Sequence, residues 1–215
     1  MLRDEGYSLT LASRRAERVE AAAEELGAVA IAADVGDADA CARLVAEHRE
    51  RFGRLDMLVN SAGIGVAGRV EDLPAKHHDL QLAINLRGLF LVTQAAIPLL
   101  RESRGWIVNL ASIAGTLPTP GLATYGATKA AVISLTRSLN EELDADGVRA
   151  VAICPGFVDT PMAQWSGLTS DEMIKPDDCA EVVRMLLRLS PRARIPQVVI
   201  ERSGSVNGDV PLSGA

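Results

Sequence analysis

The sequence predicts a doubly wound α/β fold built on a parallel sheet, and three observations carry that prediction. Short apolar runs rich in Val, Ile and Leu alternate with amphipathic stretches of helical period, as in a parallel sheet covered by helices. The helical stretches open on Asp, Pro or a small polar residue, the usual start signals. With 215 residues and 48% hydrophobic content the chain can bury one good core, and no linker-like or charged block divides it. One domain over residues 1–215 follows.

In chain order, "MLRDEGY" reads as the last turns of a helix with a glycine stop, ahead of the first run, "SLTLA" (8–12). The later runs are "VAIAA" (29–33), "LDMLV" (55–59), "WIVNL" (106–110), "VRAVAI" (148–153) and "QVVIE" (197–201). Helices are expected near 16–26, 37–52, 74–103, 123–146 and 176–190. Two stretches, "INLRGLFLVTQAAIPLL" (84–100) and "ATKAAVISLTRSLN" (127–140), are apolar over more than one face, so they are either buried core helices or a helix-on-helix subunit interface. No repeat of 20–50 residues and no low-complexity segment interrupts the pattern.

Composition narrows the function classes. The net charge of −6 and pI near 5.1 leave no basic face for nucleic acid. No run of about 18 apolar residues suggests a membrane span, and Arg3, Asp4 and Glu5 stand where a signal peptide needs apolar residues, so a soluble cytoplasmic protein is expected. Cys41, Cys154 and Cys179 form no CxxC pair, and His48, His77 and His78 match no metal-ligand spacing; free buried thiols and no metal are expected. His77 and His78, in "AKHHDLQ", read as a solvated helix start.

In a sheet of this kind ligands bind beyond the carboxyl ends of the strands, so the residues after each run matter most. After "SLTLA" come Ser13, Arg14 and Arg15, with no acid to hold a ribose 2′-hydroxyl; arginines there either receive a 2′-phosphate or open a solvated helix with Glu17 and Arg18. Asp34 and Val35 follow the second run. "NSAGIG" (60–65) follows the third, with small residues that let backbone approach a flat ligand and an asparagine able to tie neighbouring strand ends. Ser112 follows the fourth. Tyr125 and Lys129, in "YGATK", share a helix face at i and i+4, a pairing that shuffling two tyrosines among three lysines produces with a frequency of about 3%. Lowering a phenol from its usual pKa near 10 by about three units takes roughly 4 kcal/mol of differential stabilisation, to which a neighbouring ammonium and a nicotinamide cation could contribute. "CPGFVDTPM" (154–162) turns sharply at Pro155-Gly156 and brings Thr160 above the sheet.

Taken in order, "NSAG", Asn85 in "INLRG", Ser112, "YGATK" with thirteen residues from Ser112 to Tyr125, and "PGFVDTPM" resemble the short-chain dehydrogenase/reductase family from residue 1 to about residue 202. The resemblance implies a Rossmann-like, NADP(H)-dependent oxidoreductase that interconverts a small secondary alcohol and a ketone, with NAD the less favoured cofactor. It makes Tyr125 the general acid or base, its pKa lowered by Lys129, which also holds the nicotinamide ribose. Ser112 stabilises charge on the substrate oxygen, and Asn85 positions a water that relays protons from Lys129. Asn60, Ala62 and Gly63 line the cofactor site, Asp34 and Val35 face the adenine, and Pro155, Gly156, Val158 and Thr160 hold the nicotinamide. Ser13, Arg14 and Arg15 match the positions that mark NADP(H) users. Residues 161–175 correspond to a variable substrate loop, in which Met162, Trp165 and Leu168 suit a small, partly apolar substrate. The end, "KPDDCAEVVRMLLRLSPRARIPQVVIERSG", is similar to members that oxidise small 3-hydroxy acids; a 3-oxoacyl compound is the other candidate. Members pair through the helices matching 74–103 and 123–146, as homodimers or homotetramers.

The sequence departs from the family at its start. The family begins with a strand, a glycine-rich turn and a helix that receives the pyrophosphate, and that strand lies between those matching 8–12 and 55–59. No later glycine cluster replaces the turn; "GIGVAG" (63–68) lacks the spacing. An N-terminally truncated domain is therefore expected, whether through an upstream start, a longer parent sequence or a natural loss, with two central strands short of a backbone partner. A catalytically impaired or non-enzymatic, dimer-forming binding protein of the same fold is the competing reading.

Overall fold

Each apolar run of the sequence becomes a strand. In the computed structural model, which describes residues 1–204, these are β1 (Thr10–Ser13), β2 (Val29–Ala32), β3 (Met57–Asn60), β4 (Trp106–Leu110), β5 (Arg149–Pro155) and β6 (Gln197–Ile200). Residues 205–215 of the expected domain lie outside the described residues. The α-helices are α1 (Ala16–Leu26), α2 (Ala38–Phe52), α3 (Ala75–Leu82), α4 (Leu89–Ser103), α5 (Ala123–Glu142) and α6 (Pro176–Leu187). Every ladder is parallel.

The strands fall into two hydrogen-bonded groups, β1–β2 and β3–β4–β5–β6. Among the described residues no ladder joins β1 to β3, and a cavity of about 1030 Å³, lined by Leu9, Leu11, Leu58 and Asn60 among others, lies between them. In the larger group the side chains alternate between two covered faces, as the two-residue period of a strand requires. Ile107, Ala150, Ala152 and Cys154 face α4 and α5, where Ala96, Leu100, Val132 and Leu139 meet them. Trp106, Val108, Val151 and Ile153 face Val183 and Leu186 of α6, with Met1 and Leu2 packed alongside. Residues 1–6 make a single turn rather than the last turns of a helix: Asp4 and Glu5 donate to the Met1 carbonyl and Gly6 ends it.

The stretch expected as one helix over 74–103 is continuous but not uniform, because residues Ala83–Gly88 between α3 and α4 are π-helical. A π segment carries an extra residue per turn and typically marks a place where tertiary contacts outweigh the α-helical ladder. By length and composition the span Ala75–Ser103 could cross a membrane, although Gln81, Asn85, Arg87 and Thr93 break its apolar run. Its buried side chains, including Leu89, Ala96 and Leu100, are those of a core helix against the sheet and α5. The helix expected over 123–146 stops at Glu142, and a turn at Asp144–Gly147 leads into β5.

A buried polar chain fastens the sheet to its helices. Asn60, at the end of β3, donates to Thr93 Oγ1 of α4 (3.0 Å) and to Asn109 Oδ1 of β4 (2.9 Å). Asn109 in turn donates to Thr136 Oγ1 of α5 (2.9 Å), whose hydroxyl donates to the Val132 carbonyl. The asparagine after the third strand thus ties neighbouring strand ends, and it holds two helices as well. Asn109→Leu removes one hydrogen bond each from the Asn60 amide and the Thr136 hydroxyl, which keep Thr93 and the Val132 carbonyl as partners. Urea unfolding should show a loss of roughly 1–3 kcal/mol, since each buried hydrogen bond removed costs about 0.5–1.5 kcal/mol.

Candidate active site

The candidate site forms where β4 ends and α5 begins. Ser112, in extended backbone after β4, accepts a hydrogen bond from the Ala114 N–H (3.2 Å) and so starts a tight 3₁₀ turn, Ile113–Gly115. That turn lies directly on the first turns of α5. A Cβ on Gly115 would sit 2.7 Å from the Lys129 and Ala130 backbone, and one on Gly126 would sit 2.7 Å from the Ala114 carbonyl oxygen. Both distances are too short for any side chain, so the two glycines allow a contact that brings Ser112 up to Tyr125. The Ser112 hydroxyl faces the Tyr125 phenol and favours its ionised form.

Lys129 sits one turn further along α5 and is only 5% exposed. Its ammonium donates to the Leu110 carbonyl at 2.6 Å and lies 5.6 Å from the centre of the Tyr125 ring. Burial lowers its pKa from 10.5 to about 8, opposed by the nearby Cys154. Burial likewise pushes the Cys154 thiol up to about 11. For Tyr125 the structure departs from expectation. Burial raises the phenol above its ordinary value, Ser112 opposes the rise, and Lys129 is not among the groups that shift it. A low-pKa tyrosine is therefore not made by Ser112, Tyr125 and Lys129 alone, because desolvation of the anion outweighs the hydroxyl that stabilises it.

The loop after β3 closes the opposite wall. Asn85, in the π segment, accepts from the Ile64 N–H and donates to the Ile64 carbonyl, both at 2.8 Å, and donates to Thr128 Oγ1 at 3.1 Å. Thr128 donates to the Tyr125 carbonyl (2.7 Å). Both Asn85 amide hydrogens are thus taken up by protein partners, and its Oδ1 already accepts one bond from the loop. Gly63 stands 3.4 Å from Asn85 Oδ1 and 3.6 Å from Lys129 Nζ, measured from the Cβ it lacks.

The remaining predicted residues lie along the same ends of the strands. Ser13 Oγ accepts the Arg15 N–H (3.2 Å) where β1 turns into α1, and Arg14 and Arg15 are exposed and in no ion pair among the described residues. Asp34 Oδ1 accepts the Gly36 N–H (2.9 Å) just after β2, next to Val35. Asn60 ends β3, and Ala62 and Gly63 follow it. Pro155 ends β5, the Gly156 N–H donates to the Ile200 carbonyl (2.9 Å), and Thr160 donates to the Val158 carbonyl (3.2 Å). Residues 161–175 fold into two 3₁₀ turns, Pro161–Ser166 and Ser170–Glu172, and their base is closed by the Val158–Ile174 bridge. Trp165 meets Phe157 edge to face at 5.8 Å, and Met162 and Trp165 are exposed. Sequence reasoning missed Gln81, Thr128 and the Leu110 carbonyl; the only available signal was a glutamine four residues before Asn85 in an otherwise apolar stretch.

Residues 1–170 match the sequence profile described as short chain dehydrogenase. The chain belongs to that family. Among short-chain dehydrogenases, an uncharacterised oxidoreductase of Staphylococcus epidermidis is 35% identical over 205 residues, covering 93% of this chain and 88% of its own. An alcohol dehydrogenase from the archaeon Thermococcus sibiricus, solved with 5-hydroxy-NADP, superposes with a TM-score of 0.87 at 30% identity, over 94% of this chain and 88% of that one. A 3-ketoacyl-(acyl-carrier-protein) reductase from Brucella melitensis, solved with NADH, gives 0.84 at 29% identity, over 93% and 87%. For this short-chain dehydrogenase the fold and the oxidoreductase class follow.

The buried lysine has a measurable cost. Its folded pKa, about 8, lies below its unfolded value of 10.5, so at pH below 8 the full penalty for burying the charge is present. As pH rises from about 8 to 10.5 the unfolded chain binds more protons than the folded one, and the wild type gains stability. Lys129→Met should therefore be more stable than wild type at neutral pH, by at most about 3 kcal/mol, with the advantage vanishing above pH 10.5. Denaturant unfolding of both proteins across this range checks it.

Proposed function

We propose that this short-chain dehydrogenase is an NADP(H)-dependent oxidoreductase that interconverts a small secondary alcohol and its ketone, and that Tyr125 moves the proton. The observation that carries the reading is the convergence of Ser112, Tyr125 and a buried, charged Lys129 at one end of the sheet. The residues fit a nicotinamide ring at this end: Gly63 puts backbone with no side chain next to Lys129, and Asn60 spends its side chain on the core, so the loop offers backbone to a ligand. Among the described residues no glycine-rich strand-to-helix turn lines the β1–β3 cavity, so the fit covers the ribose, adenine and nicotinamide ends of the cofactor and not its pyrophosphate.

The bound nicotinamide would supply or take up the hydride. In the reducing direction the substrate carbonyl oxygen is polarised by the Ser112 hydroxyl and receives the Tyr125 proton, which leaves a phenolate beside Ser112. Lys129 adds its positive charge on the far side of the ring. Asn85 holds the loop against which the ring would stack. Asp34 and Val35 would border the adenine, Pro155, Gly156, Val158 and Thr160 would hold the nicotinamide amide, and exposed Arg14 and Arg15, with Ser13, would receive the 2′-phosphate. Met162, Trp165 and Leu168 of the 161–175 loop suit a small, partly apolar substrate such as a 3-hydroxy acid or 3-oxoacyl compound. An apolar groove of about 530 Å³ between the helices, formed by Leu82, Leu86, Phe90 and Leu135, supports pairing of two copies through the 74–103 and 123–146 helices.

Tyr125→Phe should abolish turnover of ketone with NADPH while changing cofactor affinity less than about twofold, because the hydroxyl serves the transition state and not the ground-state complex. Retained turnover would remove Tyr125 from the chemistry. Titrating nicotinamide fluorescence should show tighter binding of NADPH than of NADH, and Arg14→Ala with Arg15→Ala should erase the difference, roughly tenfold, by removing two charge-assisted phosphate contacts. Equal or reversed preference in the wild type would refute the NADP assignment.

A further inference from the structure

Gln81 is 0% exposed and is the one buried residue of α3. A primary amide in that position must be paired, and both of its ends are: Oε1 accepts the Val66 N–H at 3.2 Å, and Nε2 donates to the His77 carbonyl, one turn back on its own helix, at 3.3 Å. Four residues later Asn85 holds Ile64 by both its N–H and its carbonyl. The loop gripped in this way, residues 61–69, contains neither helix nor strand. Its further backbone ties are the Gly68 N–H to the Gly121 carbonyl at 2.8 Å and, at its end, the Arg69 carbonyl, which accepts the Asp72 and Leu73 N–H groups.

The spacing explains why two side chains on one helix can read one loop. Gln81 at the end of α3 and Asn85 in the π segment stand about one helical turn apart, and residues two apart in extended chain span roughly 7 Å. Gln81 and Asn85 therefore match Val66 and Ile64, and the residue between those two is Gly65. From the position of its absent Cβ, Gly65 lies 3.7 and 3.8 Å from Cδ2 and Cε2 of the Tyr125 ring. The two amides fix the backbone on either side of the residue that backs the phenol.

We propose that Gln81 is a positioning residue for Tyr125: through Val66 it holds Gly65 beside the ring, with room for no more than the missing Cβ, and keeps water from that side of the phenol. The inference rests on the reading of Tyr125 as the proton carrier. It goes beyond that reading by assigning Tyr125's environment to a residue outside the Asn85–Ser112–Tyr125–Lys129 set. The charged group facing the ring is Lys129 on the same helix, and Ser112 faces it from the turn after β4. Loop residues 61–68 carry no titratable side chain, so a change at Gln81 reaches the phenol through packing and hydration, not through a new charge.

The test is a spectrophotometric titration of the phenol in a Tyr7→Phe background, which leaves Tyr125 as the one tyrosine. Gln81→Met keeps the length of the side chain and removes the acceptor. The Tyr125 midpoint should fall toward its ordinary value as water enters, by about half a unit or more. Ketone turnover should lose about tenfold in kcat, with KM for NADPH within about twofold. Gln81→Asn, which stays polar but falls one methylene short of Val66, should act in the same direction and serves if the Met variant does not fold. A folded variant whose midpoint and kcat equal those of its parent overturns the proposal. If the parent turns over no ketone, the oxidoreductase reading fails, and the titration alone decides Gln81: a lowered midpoint upholds it and an unchanged one overturns it.

Discussion

Everything at the site depends on how closely one turn of backbone can lie on a helix. The 3₁₀ turn after β4 rests on α5 at Gly115 and Gly126, where a single added carbon on either would overlap backbone atoms at 2.7 Å. That contact sets the height of Ser112 against Tyr125, buries Lys129 beneath the turn and leaves the Leu110 carbonyl as the ammonium's partner. The buried chain from Asn60 through Asn109 to Thr136 holds the sheet edge and both central helices in the register the contact needs. Packing comes first here, and the chemistry is placed by it.

The same close packing creates an electrostatic tension. Desolvation works against the charged form of every group it encloses, lowering Lys129 and raising Tyr125 and Cys154 together. A site made ready for proton transfer by burial is, in the absence of further positive charge, one in which the phenol holds its proton firmly. That suits donation to a carbonyl oxygen once a substrate presents developing negative charge. On the proposed reading, a nicotinamide cation would supply in the oxidative direction the stabilisation of the phenolate that the chain's own residues leave undone.

Much of this was legible in the sequence. All six strands and the five helical stretches could be read, because parallel strands buried on two faces appear as unbroken apolar runs such as "WIVNL" and "VRAVAI". Tyr125 and Lys129 stood out by their i,i+4 spacing and Ser112 by following a strand, while Asn85 was legible only through the resemblance to the family. Other features were hidden for physical reasons. The π segment at Ala83–Gly88 coincides with long-range bonds from Asn85 to Ile64, which no local pattern encodes. Thr93, Thr128 and Thr136 look like surface residues of ordinary helices until the fold supplies their asparagine partners. The direction of the Tyr125 shift depends on a balance between burial and a facing hydroxyl, and the i,i+4 spacing of Tyr125 and Lys129 does not contain it.

The central claim is that Ser112, Tyr125 and Lys129 serve transfer of a hydride to a carbonyl carbon. The most direct measurement follows that hydrogen: incubate the protein with NADPH deuterated at the transferable C4 position and a set of small ketones and 3-oxo acids, and read the products by mass spectrometry. The account predicts an alcohol carrying one deuterium on its carbinol carbon. Cofactor binding with no deuterated alcohol from any ketone would contradict it.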